Sequence, residues 1–527
     1  MTKQKARWGP WTGGLNLRDA GIAEAGIPGS QLRTLLNLDV TDSGVLIPRR
    51  GVRRAGGPAA YTDISGSGTF ALLGGVESGG TRYAVIASHN GSSPGTSVFR
   101  YSSDPQSRLD VDWPTVATVT NEPGKFCAVV QYNGKIYFVP DASSTGQGWS
   151  RTDLASGSFT SVPDIPKGDE AYMVRERLFV IDWTASRVYY SKATDPTVWA
   201  APDGGSFDVN PGDGQPISAT AVVNSQIYIF KKNRTYLFTF SADPELDGGL
   251  TLINDQLGAL DAIAESNGVL CVNDRGVYRV LNNYFNQQDL LVKLGDNFGL
   301  PFGDPNGVWL TLEGETLVVG PAPVTPASGY THAAMNLHTG AWSGRVYSDS
   351  TTAPSTKSIT ARSVTAGLTV LYGHKTRVLA ATPQTSDRTK DTLDLTSASA
   401  VISPRYRLAT GEFDADNPAE FKRMLWLFAR LRNALQGTDS AIAFSTFASK
   451  AADFDLTTAD QTGQIPSGSW GGKITGVTSY RFLSTVFELN KPAATLSPGI
   501  TEPKTSSDLW IRALYAQADD QGGSATT

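Results

Sequence analysis

Between residues 171 and 280 the chain repeats one hydrophobic pattern three times. Arg177-Leu178-Phe179-Val180-Ile181 runs through a polar turn at 182–186 into Arg187-Val188-Tyr189-Tyr190. Gln226-Ile227-Tyr228-Ile229-Phe230 passes through 231–234 into Thr235-Tyr236-Leu237-Phe238. Val269-Leu270-Cys271-Val272 passes through 273–276 into Val277-Tyr278-Arg279-Val280. A β-branched and aromatic run, a short polar turn and a second such run predict a hairpin. Related copies flank these three at Tyr83–Ile86, Lys135–Val139, Leu317–Val319 and Leu368–Leu371. With Tyr83, Ile136, Leu178, Ile227, Val269, Leu317 and Leu368 as landmarks, the intervals are 53, 42, 49, 42, 48 and 51 residues. Hairpins at a period of about 40–50 residues mark propeller blades. A lone hairpin cannot cover both its faces in water, whereas small sheets stacked radially cover one another and leave only short edges. The expectation is an all-β chain with a β-propeller of about seven blades over 65–382, six to eight depending on the terminal copies. A long β-sandwich with chance spacing is the alternative.

Composition narrows the picture. A chain of 527 residues that is 40% hydrophobic can bury a real core, and its 54 glycines point to many tight turns. Charged residues are 18% against about 25% in ordinary soluble domains, which leaves much neutral polar surface of the kind found where chains pack together. A net charge of −5 argues against a general nucleic-acid-binding surface. Cys127 and Cys271 sit in or beside apolar strands and read as buried free thiols rather than a disulfide frame. The start, Met1 to Pro10, has no apolar core of a signal peptide, and no run of 18 apolar residues occurs, so synthesis in the cytoplasm without membrane insertion is expected.

Residues 1–64 read as an arm with platform strands. Glycine and proline punctuate its first thirty residues, and Trp8 and Trp11 stand in loop-like sequence. Such tryptophans need an apolar cover, the chain's own or a neighbour's. Ser30 is placed to cap a short helix over 31–36. Strand-like Asn37–Val40, a turn at 41–44 and Val45–Gly51 follow.

The order Gly14-Leu15-Asn16, Leu35-Leu36-Asn37-Leu38-Asp39, Ser43-Gly44-Val45-Leu46 and Arg49-Arg50-Gly51 resembles the N-terminus of bacteriophage tail proteins. These are the nozzle or hub propellers of short-tailed phages and related minor tail proteins of other tailed phages and prophages. The likeness continues through Ser191–Trp199, Phe207–Val209, Pro211–Ile217, Phe230–Tyr236 and Asn273–Tyr278, and spans most of residues 10–280. Each motif is short, and the specificity lies in their order. The blade after Leu317 is less typical, with a Pro/Ala-rich insertion at 320–330.

The resemblance implies a structural virion component made in the host cytoplasm: a tail nozzle, hub or tip protein forming part of the conduit for DNA ejection. It implies that the arm and the C-terminal region, 383–527, form a β-rich platform or sandwich domain. Partners would be copies of the chain in a ring, a hexamer by resemblance, together with adaptor or tail-tube proteins and tail fibre or tip proteins. Double-stranded DNA would pass through transiently without sequence-specific binding. Within 383–527 the strand candidates are 401–406, 423–432, 441–447, 480–489 and 508–515. Met424–Leu431 also suits a helix; its strand-like neighbours and the family's β-domain favour a strand buried on both faces. The tail 517–527 is polar and reads as frayed.

Catalytic patterns break on inspection, so no enzyme activity, cofactor or metal is expected. Gly91-Ser92-Ser93-Pro94-Gly95 fits the nucleophile-elbow pattern, but a strand-like segment follows where the elbow needs a helix. Asp208 to Gly214 resembles a calcium loop but lacks its central glycine spacing and closing glutamate. His89, His332, His338 and His374 show no metal-ligand spacing. Arg49, Arg50, Arg53 and Arg54 lie within six residues, and residues 1–60 carry nine Lys/Arg against four Asp/Glu. A solvated face is the default for such a run; the functional reading is contact with an acidic partner subunit, and a lesser one is contact with DNA phosphates. Trp8 and Trp11 join these arginines as candidate partner contacts. The rival reading, from another class, is a carbohydrate-active or receptor-binding propeller acting on the host surface.

Overall fold

The structure is a computed structural model. It describes side chains at 35, 37–43, 46, 49, 73–87, 97–104, 115, 126–154, 156–265, 268–280, 308–320 and 332–345, and elsewhere only the backbone of the strands named below. Seven antiparallel four-stranded sheets follow one another along the chain. Blade 1 is Thr69–Ser78, Thr81–His89, Thr96–Ser102 and Thr115–Thr120, and blade 2 is Phe126–Tyr132, Lys135–Pro140, Gly148–Arg151 and Thr160–Val162. Blade 3 is Glu170–Val174, Arg177–Asp182, Arg187–Tyr190 and Gly205–Asp208, and blade 4 is Ile217–Val223, Gln226–Lys231, Arg234–Thr239 and Gly249–Asn254. Blade 5 is Asp261–Glu265, Gly268–Asn273, Gly276–Leu281 and Leu291–Leu294, and blade 6 is Trp309–Glu313, Thr316–Gly320, His332–Asn336 and Trp342–Arg345. Blade 7 takes three strands from Thr356–Ser363, Gly367–His374 and Arg377–Ala381 and its fourth from Val52–Arg54.

The first strand of each blade packs on the first strand of the next, and Thr356–Ser363 of blade 7 meets Thr69–Ser78 of blade 1. The ring is closed: this is a seven-bladed β-propeller. Every landmark read from the sequence lies in the second strand of its blade. The reason is visible in the packing. Ile227 and Ile229 join Phe179 and Ile181 in the core between blades 3 and 4, while Tyr228 and Phe230 join Val269 and Cys271 between blades 4 and 5. Leu178 and Val180 turn the other way, onto Tyr137 and Val139 of blade 2. Alternate residues of a strand point to opposite faces, and here both faces are inter-blade cores, so the run is apolar throughout.

The remaining strands form the platform. Trp510–Ser524 lies between Glu420–Arg432 and Lys3–Trp8, and it meets the hairpin of Leu38–Val40 and Leu46–Pro48 at the pair Ile511 and Leu46. A second sheet continues blade 6: Trp342–Arg345 bridges to Gln31–Leu36, which pairs with Tyr406–Thr410 and onward to Phe482–Leu489, Ile442–Ser449 and Gln461–Ile465. The β-rich platform and the strand reading of Met424–Leu431 hold. Three expectations do not. Residues 31–36 are a strand rather than a helix, because backbone partners on both sides outweigh a local capping signal. The tail continues as strand to Ser524: residues 517–519 have ladder partners on both sides, and Asp520 and Ser524 pair with Lys422 and Glu420. Val52–Arg54, which the sequence assigns to the arm, is part of the ring.

Candidate functional site

The arm is sewn onto blade 6 by buried polar groups. Asn37 takes a left-handed φ of 58°, which asparagine tolerates through its short polar side chain, and its N–H donates to Gly344 O at 2.8 Å. Next to it, Arg345 is 0% exposed, and its guanidinium donates to Asp39 Oδ2 at 2.9 Å and to Glu313 Oε2 at 2.8 Å. One buried cation thus meets two carboxylates, one from the arm and one from the first strand of the blade. Asn336 adds a third tie, donating to Val40 O at 3.1 Å and to Asp42 Oδ1 at 2.9 Å.

The arm turn at 41–43 overlooks a cavity of about 810 Å³ at the strand ends of blades 4, 5 and 6. Its wall includes Asn224, Glu265, Arg279, Leu312, Glu315 and His338. Within it Arg279 grips Glu265 with two parallel hydrogen bonds of 2.9 and 3.0 Å. Glu315 and His338 stand at the rim, and with Asp42 their ligand atoms all lie within 4.8 Å of one another. Each of the three is exposed.

Of the six candidate contact residues, the structure describes one side chain. Arg49 is 0% exposed and donates from Nε to Asn37 Oδ1 at 2.8 Å, so its guanidinium is engaged inside its own chain rather than offered to a partner. Trp8 lies in the strand paired with Trp510–Ser524, opposite Leu514, and Arg53 and Arg54 lie opposite Ala380 and Leu379. Trp11 and Arg50 lie outside the described residues, as does the elbow-like loop 91–95, and the strand Thr96–Ser102 follows that loop.

The calcium-like loop is a turn with its own cation. Pro211–Asp213 forms one 3₁₀ turn, and the fully buried Lys231 Nζ donates to Asn210 O at 2.9 Å and Asp213 Oδ1 at 2.8 Å. Arg234 adds a contact to Asp213 Oδ2 at 3.2 Å, and Gln215 N one to Oδ1 at 3.0 Å. Burial pushes the Asp213 carboxyl up, but the hydrogen bonds from Lys231 and Gln215 and the two neighbouring cations outweigh it and hold it below its usual range. Cys271 is a buried free thiol pushed up to about 12 by burial, and Cys127 is half-buried.

No family model and no curated protein matches this sequence. Among solved structures the chain is similar to YCF48 bound to D1 peptide, at 10% identity and a TM-score of 0.39, covering 68% of this chain and 99% of that one. It is also similar to the N-terminal domain of Nup159, at 10% identity and a TM-score of 0.38 over 66% of this chain and 98% of that one. The Pan2 WD40 domain of Neurospora crassa matches at 10% identity and a TM-score of 0.30, over 50% and 91% respectively. The fold assignment rests on the closed ring of blades.

Proposed function

We propose that the chain is a structural component of a bacteriophage tail: a nozzle, hub or tip protein that forms part of the DNA-ejection conduit and the platform on which neighbouring tail proteins dock. The observation that carries this reading is the role of the residues behind the family resemblance. Among them, Asn37 and Asp39 bond to blade 6, Arg49 bonds to Asn37, and Leu35 and Leu46 are fully buried. A motif that joins propeller to platform suits a structural particle component, and it calls for no catalytic residue. By resemblance the working unit is a ring of copies, a hexamer, with DNA passing between protomers, since the centre of a single propeller is narrow. Trp8, Trp11, Arg50, Arg53 and Arg54 remain the proposed partner contacts; Arg49 does not.

The test is electron microscopy of the tailed particle with this chain located by antibody, together with native mass spectrometry of the purified protein. A ring of copies at the tail supports the reading. A monomer, or a label absent from the tail, overturns it. The carbohydrate-active rival has one specific support, the two carboxylates Glu265 and Glu315 on one cavity wall, since glycosidases work with a carboxyl pair. Against it, Glu265 is committed to Arg279. Release of reducing sugar from host envelope, lost in Glu315→Gln, would install the rival.

A further inference from the structure

We propose that Asp42, Glu315 and His338 form a binding site for a divalent first-row transition metal, best matched by zinc, that clasps the arm turn to blade 6. The proposal is independent of the tail reading. Three observations converge. First, one imidazole and two carboxylates from three separate segments place their ligand atoms within 4.8 Å of one another. An imidazole with carboxylates suits zinc and its neighbours, whereas calcium seeks six to eight oxygens.

Second, the charge at this spot is unmatched. The other acids around it each have an arginine: Asp39 and Glu313 share Arg345, and Glu265 has Arg279. Among the described residues no Lys or Arg pairs with Asp42 or Glu315. Two carboxylates held together without a cation repel one another, and a bound divalent ion removes that cost.

Third, the ligands are held from behind. Asn336 is buried, accepts from the backbone N–H of His338 with Oδ1 at 2.9 Å, and donates from Nδ2 to Asp42 Oδ1 at 2.9 Å. It thus holds the turn that carries His338 and gives the Asp42 carboxylate the outer-shell hydrogen bond by which metal sites orient a ligand. Glu315 and His338 also line the cavity, so a fourth coordination position faces its solvent.

Isothermal titration of the EDTA-stripped full-length chain with zinc chloride tests this, with calcium and magnesium chloride as comparisons. One equivalent of zinc should bind, and His338→Ala and Asp42→Asn should each weaken binding at least tenfold, the loss that outer-shell changes alone can cause. Zinc should raise the thermal midpoint of the wild type and leave that of His338→Ala unmoved. His338 is exposed and Asp42→Asn keeps the Oδ1 that accepts from Asn336, so both variants should melt like the wild type in EDTA, which separates lost ligation from lost folding. Absence of saturable zinc binding would overturn the proposal, and so would binding that neither substitution changes, which would mean an adventitious surface ion only.

Discussion

Asp213→Ala should be among the most damaging single changes outside the apolar cores. The Lys231 side chain is 0% exposed and that of Asp213 4%, with Nζ and Oδ1 2.8 Å apart. At that distance and an effective dielectric near 20, the attraction is about 6 kcal/mol before desolvation is subtracted. Removing the carboxylate leaves a buried ammonium that donates to the neutral Asn210 O. Breaking a buried pair from one side costs about 3–5 kcal/mol. Arg234 also loses a partner, but its side chain is 34% exposed and solvent screens most of that loss.

The double variant Lys231→Met/Asp213→Ala removes the stranded charge and should therefore be more stable than Asp213→Ala alone. Urea unfolding followed by tryptophan fluorescence ranks the three proteins. The pH dependence has a definite sign. The Asp213 carboxyl is lowered in the folded state relative to the unfolded chain, so its contribution is complete above about pH 4 and is lost as pH falls through the lower folded value. The gap between wild type and Asp213→Ala should be flat near neutrality and close in acid. An Asp213→Ala loss under about 1 kcal/mol, or a double variant less stable than the single, would refute the buried-pair argument.

Arg345→Met should cost about 3–5 kcal/mol by stranding Asp39 and Glu313, and limited proteolysis should then cut the arm before the ring. Phe179→Ala should cost about 3–5 kcal/mol because the ring fills the core between blades 3 and 4, while Leu246→Ala, at an 85% exposed position, should leave the urea midpoint unchanged. In the native protein at pH 8, Cys271 should resist a thiol reagent until urea exposes it, since burial pushes its thiol up to about 12.

What the sequence revealed was the part of each blade that is buried twice. Second strands such as Gln226–Lys231 face a core on either side, so their apolar runs stand out and carry the period. Fourth strands do not: Gly249–Asn254 is mostly exposed and Gly205–Asp208 alternates, so composition gives them no signal. The segment 31–36 shows leucines at 32, 35 and 36, a helical spacing, and only partners far along the chain make it a strand. Arg49 reads as surface because it stands in a charged run, whereas its burial depends on Asn37 accepting from it. The Asp42, Glu315 and His338 cluster has no spacing to find, because its members meet only when the arm turn reaches blade 6.

The anchor also bears on how the ring shuts. Pairing Val52 with Ala381 closes a loop of about 330 residues, an entropic cost on the order of 5 kcal/mol beyond a constant. Contacts of such range form late, after local hairpins have been made. Once Arg345 holds Asp39, however, the remaining loop between that contact and the Val52–Ala381 pair is about 50 residues, and the cost falls by roughly 1.5–2 kcal/mol. The hairpin of 38–48 thus acts on closure through chain connectivity. Just before that hairpin lies Gln31–Leu36, the strand through which blade 6 runs on into the C-terminal sheet. Ring closure and platform attachment therefore draw on one set of contacts, and a change that loosens the arm weakens both together.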